Sequence, residues 1–332
     1  MPVLNDASHV RQAVESILAQ EYVGPVEVLI ALGPSIDGTT ELVADLASRD
    51  ERIRVLDNEI GSTPAGLNLG IRAARFPVVV RVDSHSMLRP DYTAVAVETL
   101  ERTGADNVGG IMDAQGETPF ERAVAIAYTT KVGLGGSAFH VGGSEGPAET
   151  VYLGVFRRDA LERVGLFDET IKRGQDWELN RRLRESGGIV WFTPSLAVTY
   201  RPRSSVERLA RQMFSTGLWR GELARRFPSS NGIRYFIPPL MVLGVTVGLI
   251  LGVVGIFTAA TGGPAWPLIG FAIPAVYLLF VLASSLAYAL RGGIRTAGWF
   301  VVVLPTIHVT WGVGFVLGFL ALTGNIARHT GR

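Results

Sequence analysis

Apolar and polar residues alternate in blocks along the first two-thirds of the chain, and the block lengths read as helices and strands in turn. Val10, Ala13, Val14, Ile17 and Leu18 fall on one face of a helix that begins almost at once, with Asp6 or Ser8 placed to cap it. Val26 to Leu32 is a short apolar run of the kind buried in a sheet. Asp37-Gly38-Thr39 is a turn, and Thr40 to Ser48 is a second helix with Leu42, Val43 and Leu46 inward. The pattern continues with a strand over Ile53 to Leu56, a helix over Thr63 to Ala74 opened by Pro64, and a strand over Pro77 to Val82. Such alternation predicts a parallel sheet covered by helices.

After Pro228 the charges almost vanish. Three apolar stretches follow, at 237–260, 266–290 and 298–322. Each has about 23 to 25 residues, enough for a helix to cross a hydrocarbon core of about 30 Å. Buried helices of a soluble protein would show a polar face, and these show almost none. Two regions are therefore expected: a catalytic-sized domain over 1–228, ending in a basic interfacial helix near 205–226, and a membrane region over 229–332. Arg220, Arg225, Arg226 and Arg234 precede the first span, and Arg291 and Arg295 lie between the second and third, so both sites belong on the inner side. Three crossings then send the tail, with Arg328 and Arg332, outward against that rule. His308 and Trp311 sit at helical spacing in the third span, where His308 is open to two readings: a functional group or a bond to a neighbouring carbonyl.

Composition narrows the chemistry. Lys and Arg number 31 against 30 Asp and Glu in 332 residues, a net charge of +1, and no basic tract carries interleaved aromatics, so nucleic acid is not an expected partner. The absence of cysteine excludes disulfides, thiolate catalysis and cysteine-ligated zinc. Met1 runs directly into Pro-Val-Leu-Asn-Asp without a basic or apolar leader, so the first domain is expected in the cytosol, and the three apolar stretches lead us to expect a multi-pass protein of the cell membrane.

Three polar constellations carry candidate chemistry. In open α/β sheets ligands bind beyond the carboxyl ends of the strands. The loop Asp83-Ser84-His85-Ser86 leaves the strand Val78-Val79-Val80-Arg81-Val82 at such an end. A carboxylate and an imidazole two residues apart can share a hard divalent cation that also holds phosphate oxygens, although Asp and Ser equally suit a plain turn. The second is Gly174-Gln175-Asp176-Trp177-Glu178-Leu179-Asn180 at a helix start, where an acid is ordinarily a partner for the helix dipole. The third is Arg211 to Arg220 on the basic helix, whose simplest use is binding anionic headgroups.

Taken together and in order, these segments resemble glycosyltransferase family 2, and within it the membrane-bound branch typified by the succinoglycan-type glucosyltransferases. The similarity runs over nearly the whole chain. Pro2-Val3-Leu4-Asn5-Asp6, Asp37-Gly38-Thr39, Gly66 to Ile71 and Arg81-Val82-Asp83-Ser84-His85 carry it in the first half. Gly135 to Phe139, Thr150 to Arg158, Val164 to Glu169, Gln175 to Asn180 and Gln212 to Arg220 carry it in the second.

The resemblance implies an α/β fold of the nucleotide-diphospho-sugar transferase type (GT-A, a Rossmann-like mixed sheet) followed by transmembrane helices. It implies an inverting transferase that moves a sugar from a nucleotide diphosphate, a UDP-sugar being favoured, to a lipid-linked polyprenyl diphosphate glycan in cell-surface polysaccharide synthesis. Pro2 and Asn5 would border the base, Asp37 and Asn68 would lie near the nucleotide or sugar, and Asp83 with His85 would take the place of the Asp-x-Asp metal motif, holding Mn²⁺ or Mg²⁺. Asp176 would be the catalytic base with Glu178 in support, and Gln212, Trp219 and Arg220 resemble loosely a motif at the acceptor and diphosphate. A polyprenyl-phosphate monosaccharide synthase and an inactive transferase-like scaffold are the alternatives.

The chain also departs from the family. The family opens with an apolar strand before its Pro-x-x-Asn, so a start upstream of Met1 is expected here. The Asp pair after the second strand, one member of which binds uracil, is replaced by Ala31-Leu32-Gly33-Pro34-Ser35. His85 in place of an acid suits Mn²⁺ better than Mg²⁺.

Overall fold

The computed structural model describes residues 1–323, so Arg328 and Arg332 lie outside the described residues. In chain order the elements are β1 (Pro2–Val3), α1 (Val10–Leu18), β2 (Val28–Leu32), α2 (Thr39–Arg49), β3 (Ile53–Asp57), α3 (Thr63–Ala73), β4 (Val78–Val80), β5 (Met87–Leu88), α4 (Tyr92–Thr103), β6 (Asn107–Ala114), α5 (Pro119–Tyr128), α6 (Ala138–Val141), β7 (Gly146–Pro147), β8 (Tyr152–Arg157), α7 (Arg158–Arg163), α8 (Gln175–Glu185), β9 (Val190–Tyr200), α9 (Val206–Arg226), α10 (Ile237–Ala260), α11 (Ala272–Gly292) and α12 (Ile294–Phe319). Two compact units emerge: Met1–Ala114 with Gly136–Tyr200, and Gln115–Gly135 with Arg201–Arg332.

The first unit is the α/β part. Strands β1, β2 and β3 form a parallel sheet in that order, with Val3 opposite Leu32 and Leu32 opposite Asp57. A second sheet has the order β4-β8-β6-β9-β5, in which only β6 and β9 run parallel. The sheet is therefore mixed, because after β4 the chain returns through short antiparallel pairs rather than through a helical crossover each time. Pro64 and the Ser62 side chain, which accepts from the Ala65 amide, start α3. Leu67 and Ile71 of α3, Leu161 of α7, and Leu179 and Leu183 of α8 share one buried cluster with Phe156 and Phe192. Val10, Val14 and Val43 pack with Ile30 and Ile53 around the first sheet.

Strand β9 carries the main irregularity. Gly109 pairs with Phe192 and Ile111 with Ala197, so Thr193 to Leu196 bulge out, with Pro194 where no ladder donor is needed. The bulge brings the Leu196 carbonyl onto Gly110, where an added Cβ would overlap it.

In the second unit, three helical segments are long and apolar enough to cross a membrane: Ile233–Ala260, Trp266–Tyr288 and Ile294–Phe319. The third starts earlier than the expected 298, because the break after α11 is Gly293 alone, in the left-handed region at φ 78°. Helix α5, which hydrophobic spacing did not reveal, opens with a full capping box between Thr118 and Glu121 and packs Phe120 edge-on against Trp299 at 5.3 Å.

Gly110→Ala should lower unfolding stability by about 1–3 kcal/mol through overpacking against the bulge. Gly70→Ala should raise it by about 0.5–1 kcal/mol, because this position on α3 has open space around it and a helical glycine costs backbone entropy. Thermal and urea unfolding of the solubilised protein, with each variant beside the parent, measures both.

Candidate active site

The site grows from the end of β4. The strand ends at Val80, although the Arg81 amide still donates to the Gly154 carbonyl of β8 at 3.2 Å, and Arg81 stands in an otherwise apolar run with its side chain only 6% exposed. A buried guanidinium has to be paired. It finds two carboxylates: its Nε donates to Asp83 Oδ1 at 3.2 Å, and its Nη1 donates to Asp176 Oδ1. One cation thus joins the acid that ends a strand to the acid in the first turn of α8. Burial alone would lower the Arg81 pKa, but Asp176 and Asp83 outweigh it and hold the group charged.

Asp176 keeps 36% of its side-chain exposure while Asp83 keeps 23%. Desolvation by the surrounding protein pushes the Asp176 carboxyl above the usual carboxylate range. Arg81 opposes that shift and the neighbouring charge of Asp83 adds to it. The result is a partly open carboxylate with a stronger affinity for a proton than a surface Asp.

Helix α8 is held in register by the residues around Asp176. Trp177 Nε1 donates to Glu149 at 2.9 Å, and Asn180 joins Asn107 on β6 (2.6 Å) to Thr150 (2.8 Å). Gly174, in the left-handed region at φ 80°, turns the chain into the helix. Glu178 is not brought beside Asp176. It is 3% exposed and bound to Arg181 and Arg182, and Arg182 in turn donates to the carbonyls of Val164 and Leu166, so this acid ties α8 to the turn before it.

A second cluster gathers the loop after β1, the turn after β2 and the turn after β4. Asp6 does not cap α1, whose N-cap is His9 without a side-chain bond. Its carboxylate accepts instead from Ser84 Oγ, pairs with His9 Nδ1 at 2.7 Å and lies 3.5 Å from His85 Nδ1. Desolvation would raise the Asp6 pKa, but the bonds from His85, Ser84 and His9 win and hold it well below the ordinary value. Thr39 Oγ1 accepts from the Asp6 amide and donates to Asp37, whose other oxygen accepts from the Ala7 amide at 3.1 Å. Asn5, with φ 49°, accepts from the Ile36 amide.

The other expected residues fall as follows. Pro2 lies in β1 opposite Ala31. Asn68 is 2% exposed and clips Phe167 from both sides, accepting from its amide and donating to its carbonyl, each at 2.9 Å, with a further bond to Glu169. Asp83 and His85 leave the same turn, closed by the Ser86 amide on the Asp83 carbonyl, but Asp83 turns to Arg81 and His85 to Asp6. Among the described residues no three His, Asp or Glu side chains converge as a metal group.

In the second unit, Gln212 accepts from Arg203 at 2.9 Å, Trp219 is 3% exposed, and Arg220 is buried over the Tyr235 ring with a bond to Asn231 at 2.7 Å.

Sequence reasoning gave Arg81 no role of its own and Asp6 only that of a candidate helix cap. The signal for Arg81 was present: a charge inside a valine run has to meet an opposite charge.

Residues 1–165 match the family model described as glycosyl transferase family 2. The succinoglycan biosynthesis protein ExoA of Rhizobium meliloti is 31% identical over 304 residues, covering 88% of this chain and 92% of that protein. A dolichyl N-acetyl-α-D-glucosaminyl phosphate 3-β-D-2,3-diacetamido-2,3-dideoxy-β-D-glucuronosyltransferase of Methanococcus voltae is 26% identical over 235 residues, 68% of this chain and 73% of its own. Among solved structures, the mannosyltransferase PcManGT from Pyrobaculum calidifontis, in complex with GDP-Man and Mn²⁺, superposes with a TM-score of 0.59 at 16% identity, covering 97% of this chain and 86% of that one. At that identity the likeness shows the fold, a GT-A fold with a mixed sheet.

Arg81→Ala should take the cation from between two carboxylates and cost about 3 kcal/mol, the low end for breaking a buried pair because Asp176 stays partly exposed. Without Arg81 the Asp176 pKa rises further. Protonation then favours the folded variant, so the deficit should shrink as the pH falls from 7 toward 5 and be largest above it. Unfolding midpoints of parent and variant across that range measure the effect.

Proposed function

The chain belongs to glycosyl transferase family 2, in the branch of the succinoglycan biosynthesis transferases, and from that premise we propose that it transfers a sugar from a nucleotide diphosphate to a lipid-linked glycan at the cytoplasmic face of the cell membrane. The observation that carries the reading is the single guanidinium of Arg81 holding Asp83 and Asp176 together. A displacement at an anomeric carbon needs two things at one place: stabilisation of the negative charge that builds on the leaving diphosphate, and a base for the attacking hydroxyl. In this triad Asp176 answers the second need and the positive charge of Arg81 contributes to the first.

Asp176 is the base. Its raised proton affinity improves proton removal from an alcohol, and its partial exposure leaves an oxygen open to the acceptor. Attack from the face opposite the diphosphate inverts the anomeric centre. Arg81 holds the carboxylate in place and keeps a positive charge near the departing group. Glu178 supports the reaction from a distance, by fixing α8 through Arg182.

Asp83 and His85 offer one oxygen and one nitrogen on a single turn, donor types that would hold a divalent cation there if they turned from Arg81 and Asp6. When bound there, Mn²⁺ or Mg²⁺ supplies charge neutralisation to the diphosphate. The complex of the Pyrobaculum mannosyltransferase with GDP-Man and Mn²⁺ supports a donor and ion of this class. The Methanococcus relative, which by its name acts on a dolichyl-linked sugar, supports a lipid-linked acceptor. Pro2, Asn5 and Asp37 border the nucleotide in this reading. Gln212, Trp219 and Arg220 shape the segment toward the acceptor, Arg220 by anchoring Tyr235 and Asn231.

Membranes containing the protein, given labelled UDP- or GDP-sugars and extracted lipid, should form a lipid-soluble labelled product that chelation suppresses and Mn²⁺ restores. Asp176→Asn should lower the rate by about 10²–10⁴-fold while nucleotide-sugar binding stays. An Asn variant that keeps most of its activity would point to a lipid phosphate nucleophile, which has no hydroxyl proton to lose.

A further inference from the structure

Three consecutive crossings would leave the end of the third helix on the side opposite the start of the first. The contacts within the second unit do not follow that pattern. At the end of α12, Phe315 and Phe319 pack edge-on against Phe236, the residue just before α10, with ring centroids at 5.4 and 6.4 Å. Gly312 lies against the Pro238 carbonyl and Val242, in the first turns of α10. Meanwhile the chain after α10 turns back beside it: Gly255 packs on Leu268, Gly252 on Phe271, and Gly248 on Gly270 and Pro274. Helix α11 then continues along α12, with Tyr277 bonded to His308 at 3.1 Å and Tyr288 against Phe300 at 5.2 Å. Thus α10 leaves one side, α11 returns to it, and α12 both begins and ends there.

Two further observations agree. Helix α10 exposes apolar side chains over most of its circumference, including Leu249, Ile250, Leu251, Val253 and Ile256, and buries mainly its glycine seam, as a helix in lipid would. Helix α12 exposes a single apolar stripe, Trp299, Val302, Val309 and Val313, at steps of three, seven and four residues, and buries the other face. Helix α9 also runs parallel to the second half of α12 in backbone contact: Gly217 meets Trp311, Gly221 meets Phe315, Gly314 meets Phe214 and Gly318 meets Leu218. Because α9 carries Glu207, Arg208, Arg211, Glu222, Arg225 and Arg226, a helix bound to it so closely could cross hydrocarbon only by taking those charges along.

We propose that this chain crosses the bilayer twice, as the α10–α11 hairpin, and that α12 lies along the membrane surface on the side from which α10 enters, its apolar stripe turned to the lipid. The inference rests on the reading of this unit as membrane-embedded. It removes the conflict in charge, because a tail bearing Arg328 and Arg332 then follows the same side as Arg225, Arg226, Arg234, Arg291 and Arg295.

The chain has no cysteine, so single substitutions report one position each. Ser229→Cys precedes α10, Ala265→Cys lies at the hairpin tip and Leu322→Cys follows α12, and all three positions are exposed. Each full-length variant is labelled with a membrane-impermeant maleimide in intact and in permeabilised cells, and membranes are washed with alkaline carbonate. The expected result is retention in the carbonate pellet, with 265 labelled from one face and 229 and 322 both from the other. Labelling of 322 together with 265, against 229, would establish three crossings and overturn the proposal. Labelling of all three from one face with the protein still in the pellet would also overturn it, in favour of a hairpin that dips without crossing. Release into the carbonate supernatant would remove the membrane reading itself, and that loss is separable from the other two because it needs no labelling.

Discussion

The buried charge of Arg81 is the constraint on which the α/β unit turns. A guanidinium in a valine run cannot be left unpaired, so the fold has to deliver carboxylates to it, and it takes them from two segments far apart in sequence. Asp83 comes from the same strand end. Asp176 comes from a helix that must be set down with its first turn at that point. Each carboxylate is held to the same buried guanidinium, and for that reason the local structure around both is over-determined. The same arrangement creates the chemistry: desolvation raises the proton affinity of the Asp176 carboxyl, Arg81 opposes that shift and the neighbouring charge of Asp83 adds to it.

The pinning of α8 shows how a motif divides its labour. In Gln175 to Asn180, Asp176 reaches Arg81 while Trp177 and Asn180 attach the helix to Glu149, Asn107 and Thr150, and Glu178 holds Arg182 against the carbonyls of Val164 and Leu166. These bonds lie on buried or half-buried groups, where an unmade hydrogen bond is costly, so they fix the helix rather than decorate it. The loops after β1, β2 and β4 are tied in the same way, through Asp6, Thr39, Asp37 and Ser84. The sheet mouth is thus a preorganised surface before any ligand arrives.

Much of this was legible in the pattern of residues. Helices α1, α2 and α3 and strands β2 and β3 follow from spacing within two residues at most boundaries, because each buries a simple periodic face. What spacing could not reveal is where a polar side chain points. Asn68 and Glu178 belong to segments shared with the family, yet Asn68 clips the backbone of Phe167 and Glu178 ties down Arg182; from sequence alone both look as suited to a ligand as Asp176 does. Strand β4 stops at Val80 rather than Val82 because Arg81 turns to its carboxylates, a tertiary demand that overrides β propensity. The mixed sheet, too, depends on pairing directions that periodicity cannot register, since β8 runs antiparallel to both β4 and β6.

The helical unit poses the same ambiguity with lipid in place of ligand. An apolar face is equally content against hydrocarbon and against another helix, so composition sees three equivalent spans. The buried share of the three most apolar windows separates them, rising from 17% to 22% and then 39% along the chain. Glycines explain the difference, since they let backbones approach and convert a lipid-facing surface into a protein-facing one. In α10 they serve the hairpin, with Gly248, Gly252 and Gly255 against the returning chain, whereas Gly314 and Gly318 of α12 face Phe214 and Leu218 of a charged helix, whose Gly217 and Gly221 meet Trp311 and Phe315 in turn. The identity of the partner across each glycine seam, rather than the hydropathy of the helix that carries it, decides which solvent that helix meets.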